Sequence, residues 1–244
     1  MPELPEVETT RRGIEPHVEG KRITKMVVRE RRLRWPIPAT LEARLAGQTV
    51  DGVERRGKYL LLRINTGSLI VHLGMSGSFR VVPPGTPLLT HDHVDLMTDR
   101  GQVVRYNDPR RFGSLHWVQG PVEEHPLLRH LGPEPLEASF DEAHLWQATR
   151  GRRVAIKILI MNAAIVVGVG NIYASEALYR AGIAPDRPAH SLSDGECRTL
   201  AGTVRSVLSD ALESGGSSLR DHMQVNGKLG YFQHRFAVYD RAGQ

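Results

Sequence analysis

The first residues of the chain place a proline where it could become the amino terminus, with a carboxylate beside it. Met1 is followed by Pro2, and an initiator methionine is normally removed before such a small residue. A free Pro2 would carry a secondary amine that titrates around pH 8, so part of it is an uncharged nucleophile at neutral pH. Pro2 is therefore a candidate covalent catalyst and Glu3 a candidate acid or electrostatic partner. The alternative is that Pro2 and Pro5 only shape the entry to a helix.

A second group of residues combines guanidinium groups with apolar side chains on loops. The segment Asp108-Pro109-Arg110-Arg111-Phe112-Gly113 falls between two predicted strands, and Met75 is flanked by glycines on another strand connection. An arginine can pair with an orphaned base while an apolar side chain fills the opened stack. Arg110, Phe112 and Met75 are therefore candidates for entering a nucleic-acid duplex. The alternative places Phe112 and Met75 in the core.

A glycine-punctuated loop, residues 166–171, runs directly into a predicted helix start at Asn171. Backbone amides at a helix N-terminus bind phosphate oxygens. With Arg153 and Lys157 nearby, the loop is interpreted as a clamp for a DNA backbone. A dinucleotide-binding fingerprint would need a preceding strand and a third glycine, which are missing. A plain turn between helices is the alternative.

The pattern His91-Asp92-His93 raises the question of a metal site. No third imidazole or thiolate stands at ligand spacing, so we expect no metal there. The single cysteine, Cys197, excludes a disulfide framework and a site with several cysteine ligands.

The charge of the chain favours a polyanionic partner. The 244 residues carry a net charge of +5 and a sequence pI near 9.6, and arginine far outnumbers lysine, which suits bidentate pairing with phosphate. A basic but inert surface is the alternative. No apolar run reaches membrane-spanning length and no signal peptide is present, so we expect a soluble, intracellular protein.

The chain divides into a strand-rich half and a helical half, and the elements of both must position these residues. After a short helix that we expect to stop at Gly13, alternating β-rich runs separated by Gly, Pro, Asn and Asp predict an antiparallel sandwich or barrel. The eight runs are residues 22–28, 49–53, 59–64, 68–72, 79–82, 93–97, 103–106 and 114–118.

The second half is predicted to be helical. A capping box at Ser139 to Glu142 and another at Ser193 to Glu196 each open a helix, and a third helix runs from about Asn171 to Gly182. An apolar stripe from Ile156 to Ala164 marks one more helix. The proline-rich stretch 120–135 is the predicted linker. The fold class is thus α+β, with a catalytic β-sandwich domain at 1–130 and a helical DNA-binding domain at 131–244.

Four motifs in this order give the chain a family resemblance. It resembles the bacterial formamidopyrimidine-DNA glycosylases, which remove 8-oxoguanine and formamidopyrimidines from DNA. The matching segments are Met1-Pro2-Glu3-Leu4-Pro5-Glu6, His72-Leu73-Gly74-Met75-Ser76-Gly77, Asp108-Pro109-Arg110-Arg111-Phe112-Gly113 and Val167-Gly168-Val169-Gly170-Asn171-Ile172-Tyr173-Ala174. The resemblance implies a β-sandwich followed by a helix-two-turn-helix domain, with duplex DNA between them.

The resemblance also implies roles for individual residues. Pro2 would attack the sugar of the damaged nucleotide, Glu3 would assist ring opening, and Lys58 would act in the elimination steps. The segment from Arg220 to Tyr231 would close over an extruded purine. Residues implied to hold DNA are His91, Arg110, Arg153, Lys157 and Asn171, and those implied to fill the gap of the flipped base are Met75, Arg110 and Phe112. The implied protein is a cytoplasmic, nucleoid-associated monomer that needs no organic cofactor.

One departure from the family pattern is large. Family members continue into a four-cysteine zinc finger, whereas this sequence ends at Gln244 with no cysteine after Cys197, so no zinc is assigned. Asn162, Ala163 and Leu229 also depart from the usual residues. We therefore expect weakened DNA binding, and two other functions stay open. One is a DNA-binding remnant with little turnover, and the other is an enzyme that acts on pyrimidine lesions.

Overall fold

The computed structural model describes residues 1–217, 225, 231–241 and 243. Helix α1 spans Leu4–Val18 and begins with a capping box between Glu3 and Glu6. The predicted stop at Gly13 is wrong, because the helix continues for five further residues. Gly13 instead allows a close approach: a Cβ at this position would lie 2.7 Å from the side chain of Val225.

All eight predicted strands are present, and they form two four-stranded antiparallel sheets. The first sheet has the order β1-β6-β7-β5 and the second β2-β3-β4-β8. The strands are β1 Ile23–Val28, β2 Val50–Arg56, β3 Tyr59–Ile64, β4 Gly67–His72, β5 Ser78–Val82, β6 Asp92–Thr98, β7 Val103–Asn107 and β8 Ser114–Val118. A short helix α2, Leu41–Leu45, lies between β1 and β2.

The two sheets and α1 enclose one apolar core. It is built from aliphatic side chains that alternate along the strands, for example Leu60 and Leu62 in β3 and Val94 and Leu96 in β6. Because successive strand residues point to opposite faces, residues two apart in a strand face the same core. The predicted β-sandwich with an N-terminal helix is confirmed.

The second half is helical, as predicted. Its helices are α3 Glu142–Thr149, α4 Ile156–Ile160, α5 Asn171–Ala181 and α6 Asp194–Glu213, and short 3-10 helices occupy Val122–Glu124, Ala189–Ser191 and Phe232–Arg235. The four α-helices and the 3-10 helices Ala189–Ser191 and Phe232–Arg235 share a second core around the buried rings of Phe140, Tyr173 and Phe232. Gly182 ends α5 in the left-handed conformation with φ 66°, and Ser193 caps α6 through the predicted capping box. The α+β class is therefore confirmed.

Two local predictions in this half are wrong. Helix α3 is capped by Asp141, whose carboxylate accepts the His144 amide at 2.7 Å, and not by Ser139. Helix α4 ends at Ile160, and Ala163 and Ala164 are exposed. Among the described residues, no helix is long and apolar enough to cross a membrane.

Candidate active site

Glu3 is buried and lies between the N-terminus of α1 and the start of α5. Its side chain is 2% exposed, and its carboxylate accepts the backbone N–H of Gly170 at 2.6 Å and that of Ile172 at 2.9 Å. A carboxylate at a helix N-terminus satisfies free amides and faces the positive end of the helix dipole. Helix α5 is therefore capped by a residue 167 positions earlier in the chain.

The glycines of the loop at residues 166–171 allow α1 to pack closely against it. A Cβ on Gly170 would collide with the carboxyl group of Glu3, and one on Gly168 would lie 2.6 Å from the side chain of Leu4. The prediction that these loop amides clamp DNA phosphates is wrong for Gly170 and Ile172, because their N–H groups already bind Glu3. The anion that the loop binds belongs to the protein itself.

The environment of Glu3 and Lys58 changes the acidity of both groups. Burial raises the pKa of Glu3 to about 7, although the Lys58 charge and the amides of Ile172 and Gly170 act in the opposite direction. Burial also lowers the pKa of Lys58, against the attraction of Glu3 and Glu6. A carboxyl group that titrates near neutrality and an amine of reduced basicity are suited to proton transfer. Pro2 is buried directly beside Glu3 in the chain.

Glu6 extends this contact between the two halves of the molecule. Its carboxylate accepts the Tyr173 hydroxyl at 2.6 Å and the Ser217 amide at 2.8 Å. It also accepts the backbone N–H of Glu3 at 2.9 Å. The first turn of α1 is thus fixed to the helical half by two carboxylates. Sequence reasoning missed Glu6, although the Glu3-x-x-Glu6 spacing is a capping-box signal.

Lys58 is positioned by a carboxylate from the connection between the halves. Glu134 accepts the Gly57 amide at 2.7 Å, Arg55 at 2.7 Å and Arg56 at 3.0 Å. Gly57 has φ +57° and a Cβ there would lie 3.1 Å from Val167, so the turn between β2 and β3 passes close to the glycine loop. Sequence analysis missed Glu134, because nothing in its local sequence shows that its partners lie more than seventy residues earlier.

His72 is a further residue that sequence reasoning did not assign. It pairs with Tyr59 across β3 and β4, next to Lys58. Burial, followed by the charges of Lys58 and Arg34, lowers the pKa of His72 to about 4, so the ring is neutral at pH 7. The Gly74 amide donates to Nδ1 at 3.0 Å, which leaves the ring proton on Nε2. The strand register could have indicated this proximity to Lys58.

Two loops carry the side chains predicted to enter the duplex: the loop of Met75 and residues 108–113. These loops, called the wedge loops below, are held together by a buried carboxylate, Asp108. It accepts the Ser76 hydroxyl at 2.8 Å, the Tyr106 hydroxyl at 3.1 Å and the Gly113 amide at 2.8 Å. Burial and this carboxylate raise the pKa of Tyr106 well above its ordinary value, so it stays a neutral donor. Because Asp108 binds both loops, the loop of Met75 and residues 108–113 form one unit.

The side chains at the tips of these loops face solvent. Met75 is 39% exposed and Phe112 is 45% exposed, so the alternative that placed them in the core is wrong. The guanidinium carbon of Arg110 lies 4.9 Å from the centre of the Phe112 ring. A cation over an aromatic face is a favourable arrangement that keeps both groups at the loop tip.

The remaining predicted DNA-binding residues lie on two other surfaces. Lys157 and Asn171 line a cleft of about 620 Å³ between α5 and the segment Val238–Asp240. Arg153 is exposed just before α4, and His91 is exposed just before β6. The charges of Glu3 and Lys58 interact, and Pro2 precedes Glu3 in the chain, whereas the His91 carbonyl accepts the amide of Asp108. The segment predicted to close over a purine lies outside the described residues, except for Val225 and exposed Tyr231.

Comparison with known proteins agrees with both halves of this geometry. Residues 1–115 match the formamidopyrimidine-DNA glycosylase N-terminal domain, and residues 131–223 match the formamidopyrimidine-DNA glycosylase H2TH domain. The chain belongs to the formamidopyrimidine-DNA glycosylase family. Members from Thioalkalivibrio sulfidiphilus and Pseudomonas aeruginosa, both named formamidopyrimidine-DNA glycosylase, are 58% and 55% identical over all of this chain and 90% of their own length.

Solved structures of this glycosylase family give the same result. The MutM (FPG) protein from Thermus thermophilus is 40% identical with a TM-score of 0.87, over 98% of this chain and 88% of that chain. An FPG variant from Lactococcus lactis, in complex with a Fapy-dG containing DNA, is 33% identical with a TM-score of 0.93, over 100% of this chain and 90% of that chain.

The structure shows where Cys197 and the side chains of the His91-Asp92-His93 pattern lie. In the part of the chain that the structure describes, no three His, Cys, Asp or Glu side chains could hold a metal ion together. Cys197 is buried in the helical core. Within the His91-Asp92-His93 pattern, Asp92 binds Arg80 and His93 binds the Asp108 carbonyl.

Proposed function

We propose that this base-excision-repair glycosylase removes oxidised purines from duplex DNA and cuts the resulting abasic site through the amine of Pro2. The observation that carries the proposal is the burial of Glu3 beside Pro2 and Lys58, with its carboxylate held by the amides of Gly170 and Ile172. This arrangement supports a site in which the Pro2 amine acts as the nucleophile beside a carboxyl group whose pKa is raised to about 7 and an amine whose pKa is lowered. Family membership supplies the class of reaction.

The proposed reaction begins with attack of the Pro2 nitrogen on C1′ of the damaged nucleotide. The C1′–N bond breaks, and the departing base takes the proton that the Pro2 nitrogen loses. Glu3 donates a proton to the ring oxygen, the sugar opens, and the nitrogen lone pair forms an iminium ion with C1′. Removal of sugar protons, assisted by Lys58, then expels the two phosphates in successive eliminations. The iminium accepts the electrons of each step, so no organic cofactor is needed.

Borohydride trapping separates this proposal from its rivals. Reduction of an iminium joins the protein covalently to abasic DNA, whereas a DNA-binding remnant without the amine chemistry forms no adduct. We expect an adduct at low salt, and its absence with protein that binds the same DNA would contradict the proposal.

A panel of duplexes containing 8-oxoguanine, formamidopyrimidine or an oxidised pyrimidine then decides the lesion class. Preference for the pyrimidine duplex would contradict the purine assignment.

The exposed ring of Phe112 leads to a prediction about paired substrates. Flipping a base costs a few kcal/mol, and a group that fills the vacated space offsets part of this cost. We expect Phe112→Ala to slow excision of a paired lesion more than excision of a lesion opposite a gap, measured under single-turnover conditions. Leu88→Ala, which truncates another exposed side chain (52%), is the control. Equal slowing on both substrates would argue against a wedge.

The cleft residue Lys157 leads to a prediction about salt dependence. A lysine that neutralises one phosphate releases about one counterion on binding. We expect Lys157→Ala to weaken binding to damaged and undamaged duplex alike and to lower the slope of log K against log salt by about one unit. Lys25→Ala, on the exposed face of β1, should leave the slope unchanged. An unchanged slope for Lys157→Ala would place this side chain away from the phosphates.

The partner of this reaction is duplex DNA with oxidised bases or abasic sites. Structures of relatives hold DNA containing Fapy-dG or an abasic site, and the basic composition of this chain suits the same partner. We further propose that the protein acts as a monomer on the nucleoid in the bacterial cytoplasm. Elution volume in gel filtration and co-sedimentation with the nucleoid test these two points.

A further inference from the structure

The backbone at His91 has a conformation that side-chain residues rarely adopt. His91 has φ 72°, in the left-handed region that is strained for a residue with a Cβ. The residue is exposed just before β6, and its ring has only an edge contact with His93, with the centroids 6.0 Å apart, so burial of its own side chain does not explain the conformation. Strained backbone persists where surrounding contacts impose it, and such positions cluster at functional sites.

Asn107, at the end of β7, bonds on both sides of His91, in a turn that the Asp92 amide also closes on the Leu89 carbonyl at 3.2 Å. Its side-chain amide donates to the carbonyl of Thr90 at 2.8 Å and to the carboxylate of Asp92 at 2.9 Å. These acceptors stand immediately before and after His91. A single amide group therefore holds both neighbours of the strained residue.

Asp92 is itself fixed on its other side. Arg80 donates to both carboxylate oxygens at 2.7 and 2.8 Å, and the Leu89 amide donates to the same group at 2.7 Å. Asp92 is buried, so the acceptor that Asn107 uses is rigid. These bonds anchor the turn to β5 and β7. None of them involves the side chain of His91.

The same turn is joined to the wedge loops. The Asp108 amide donates to the His91 carbonyl at 3.1 Å, and His93 Nε2 is 2.8 Å from the Asp108 carbonyl. Asn107 precedes Asp108 in the chain. A change at Asn107 would therefore reach His91 directly, whereas Asp108 keeps its own bonds to Ser76, Tyr106 and Gly113.

We propose that Asn107 is a positioning residue that holds His91 in its strained conformation, so that the imidazole is presented to a DNA phosphate next to the wedge. The inference rests on the proposed function, since it takes His91 as a DNA contact. The additional claim is that the contribution of His91 to DNA binding depends on the side-chain amide of Asn107.

The test is a double-mutant cycle on binding and single-turnover excision with an 8-oxoguanine duplex. Asn107→Ala and Asn107→Asp each remove the donor, and the aspartate keeps the shape. We expect each to raise the half-saturating enzyme concentration by about tenfold, as His91→Ala does, with the rate at saturation unchanged. Combined with His91→Ala, neither should weaken binding further. Asn65→Ala, an exposed turn asparagine in the other sheet, should bind like the parent.

Thermal unfolding gives an independent measurement of the same clamp. His91→Gly should raise the melting temperature while weakening DNA binding, because glycine adopts positive φ without strain. Asn107→Ala should then lower the melting temperature less in the His91→Gly background than in the parent.

Three outcomes would overturn the inference, and they differ in what they leave standing. If Asn107→Ala and Asn107→Asp bind like the parent while His91→Ala is weakened, the DNA contact survives and the positioning role is wrong. Additive losses in the cycle would also reject it. If His91→Ala binds like the parent, both the contact and the inference fail, whereas covalent trapping through Pro2 tests the proposed reaction separately.

Discussion

Replacement of Pro2 by glycine is expected to abolish most base excision while leaving DNA binding intact. The variant keeps an α-amine, but it loses the secondary amine and the ring that fixes its direction. A misplacement of about 1 Å at a reacting atom can lower a rate roughly a hundredfold. We therefore expect single-turnover excision of 8-oxoguanine to fall by about two orders of magnitude or more, with trapping on abasic DNA reduced in parallel.

Pro5→Ala is the matched control for the Pro2 prediction. Pro5 is buried in the first turn of α1, so it shares the helix-shaping role without an amine that could react. If both substitutions lower the melting temperature and excision to the same extent, Pro2 only shapes the helix. Mass spectrometry adds a second check, because retention of Met1 in a fully active protein would rule out the Pro2 nucleophile.

Glu3→Gln is expected to impair base removal far more than processing of an existing abasic site. General acid catalysis contributes roughly 10²–10⁴-fold, and glutamine cannot donate the proton that ring opening requires. The glutamine NH₂ also cannot accept the amides of Gly170 and Ile172, which leaves one of these buried donors unsatisfied. Parallel assays on 8-oxoguanine duplex and on abasic duplex measure the difference. Equal losses on both substrates would assign Glu3 a purely structural role.

The raised pKa of Glu3 also predicts a pH dependence. With a folded-state pKa of about 7, the protonated form declines as the pH rises through 7, so excision should fall on the alkaline side. The excision rate of the Glu3→Gln variant should not show this decline as the pH rises through 7. Stability follows the same sign: the folded protein binds the proton more tightly than the unfolded chain, so the contribution of Glu3 is complete below about pH 4.5 and is lost as the pH rises to about 7.

Structural features that depend only on neighbouring residues could be predicted from the sequence. The eight strands follow from alternation and turn residues, and the start of α6 from the Ser193 to Glu196 capping box, because these signals act within a few residues. Gly13 and Ser139 misled for the same reason. A glycine predicts a helix end locally, but here it admits Val225. Asp141 forms the cap in place of Ser139.

The sequence by itself determined the α+β class and the family and supplied the candidate nucleophile and the candidate wedge side chains, since these depend on residue type, spacing and order. Only the tertiary structure decided what the glycine loop binds: its amides meet the carboxylate of Glu3, 167 positions away. The tertiary structure likewise brought Glu134 to the turn before Lys58 and Asn107 to both sides of His91. Hydrogen bonds and desolvation depend on distances in space, and no local pattern encodes which distant residue will supply the partner.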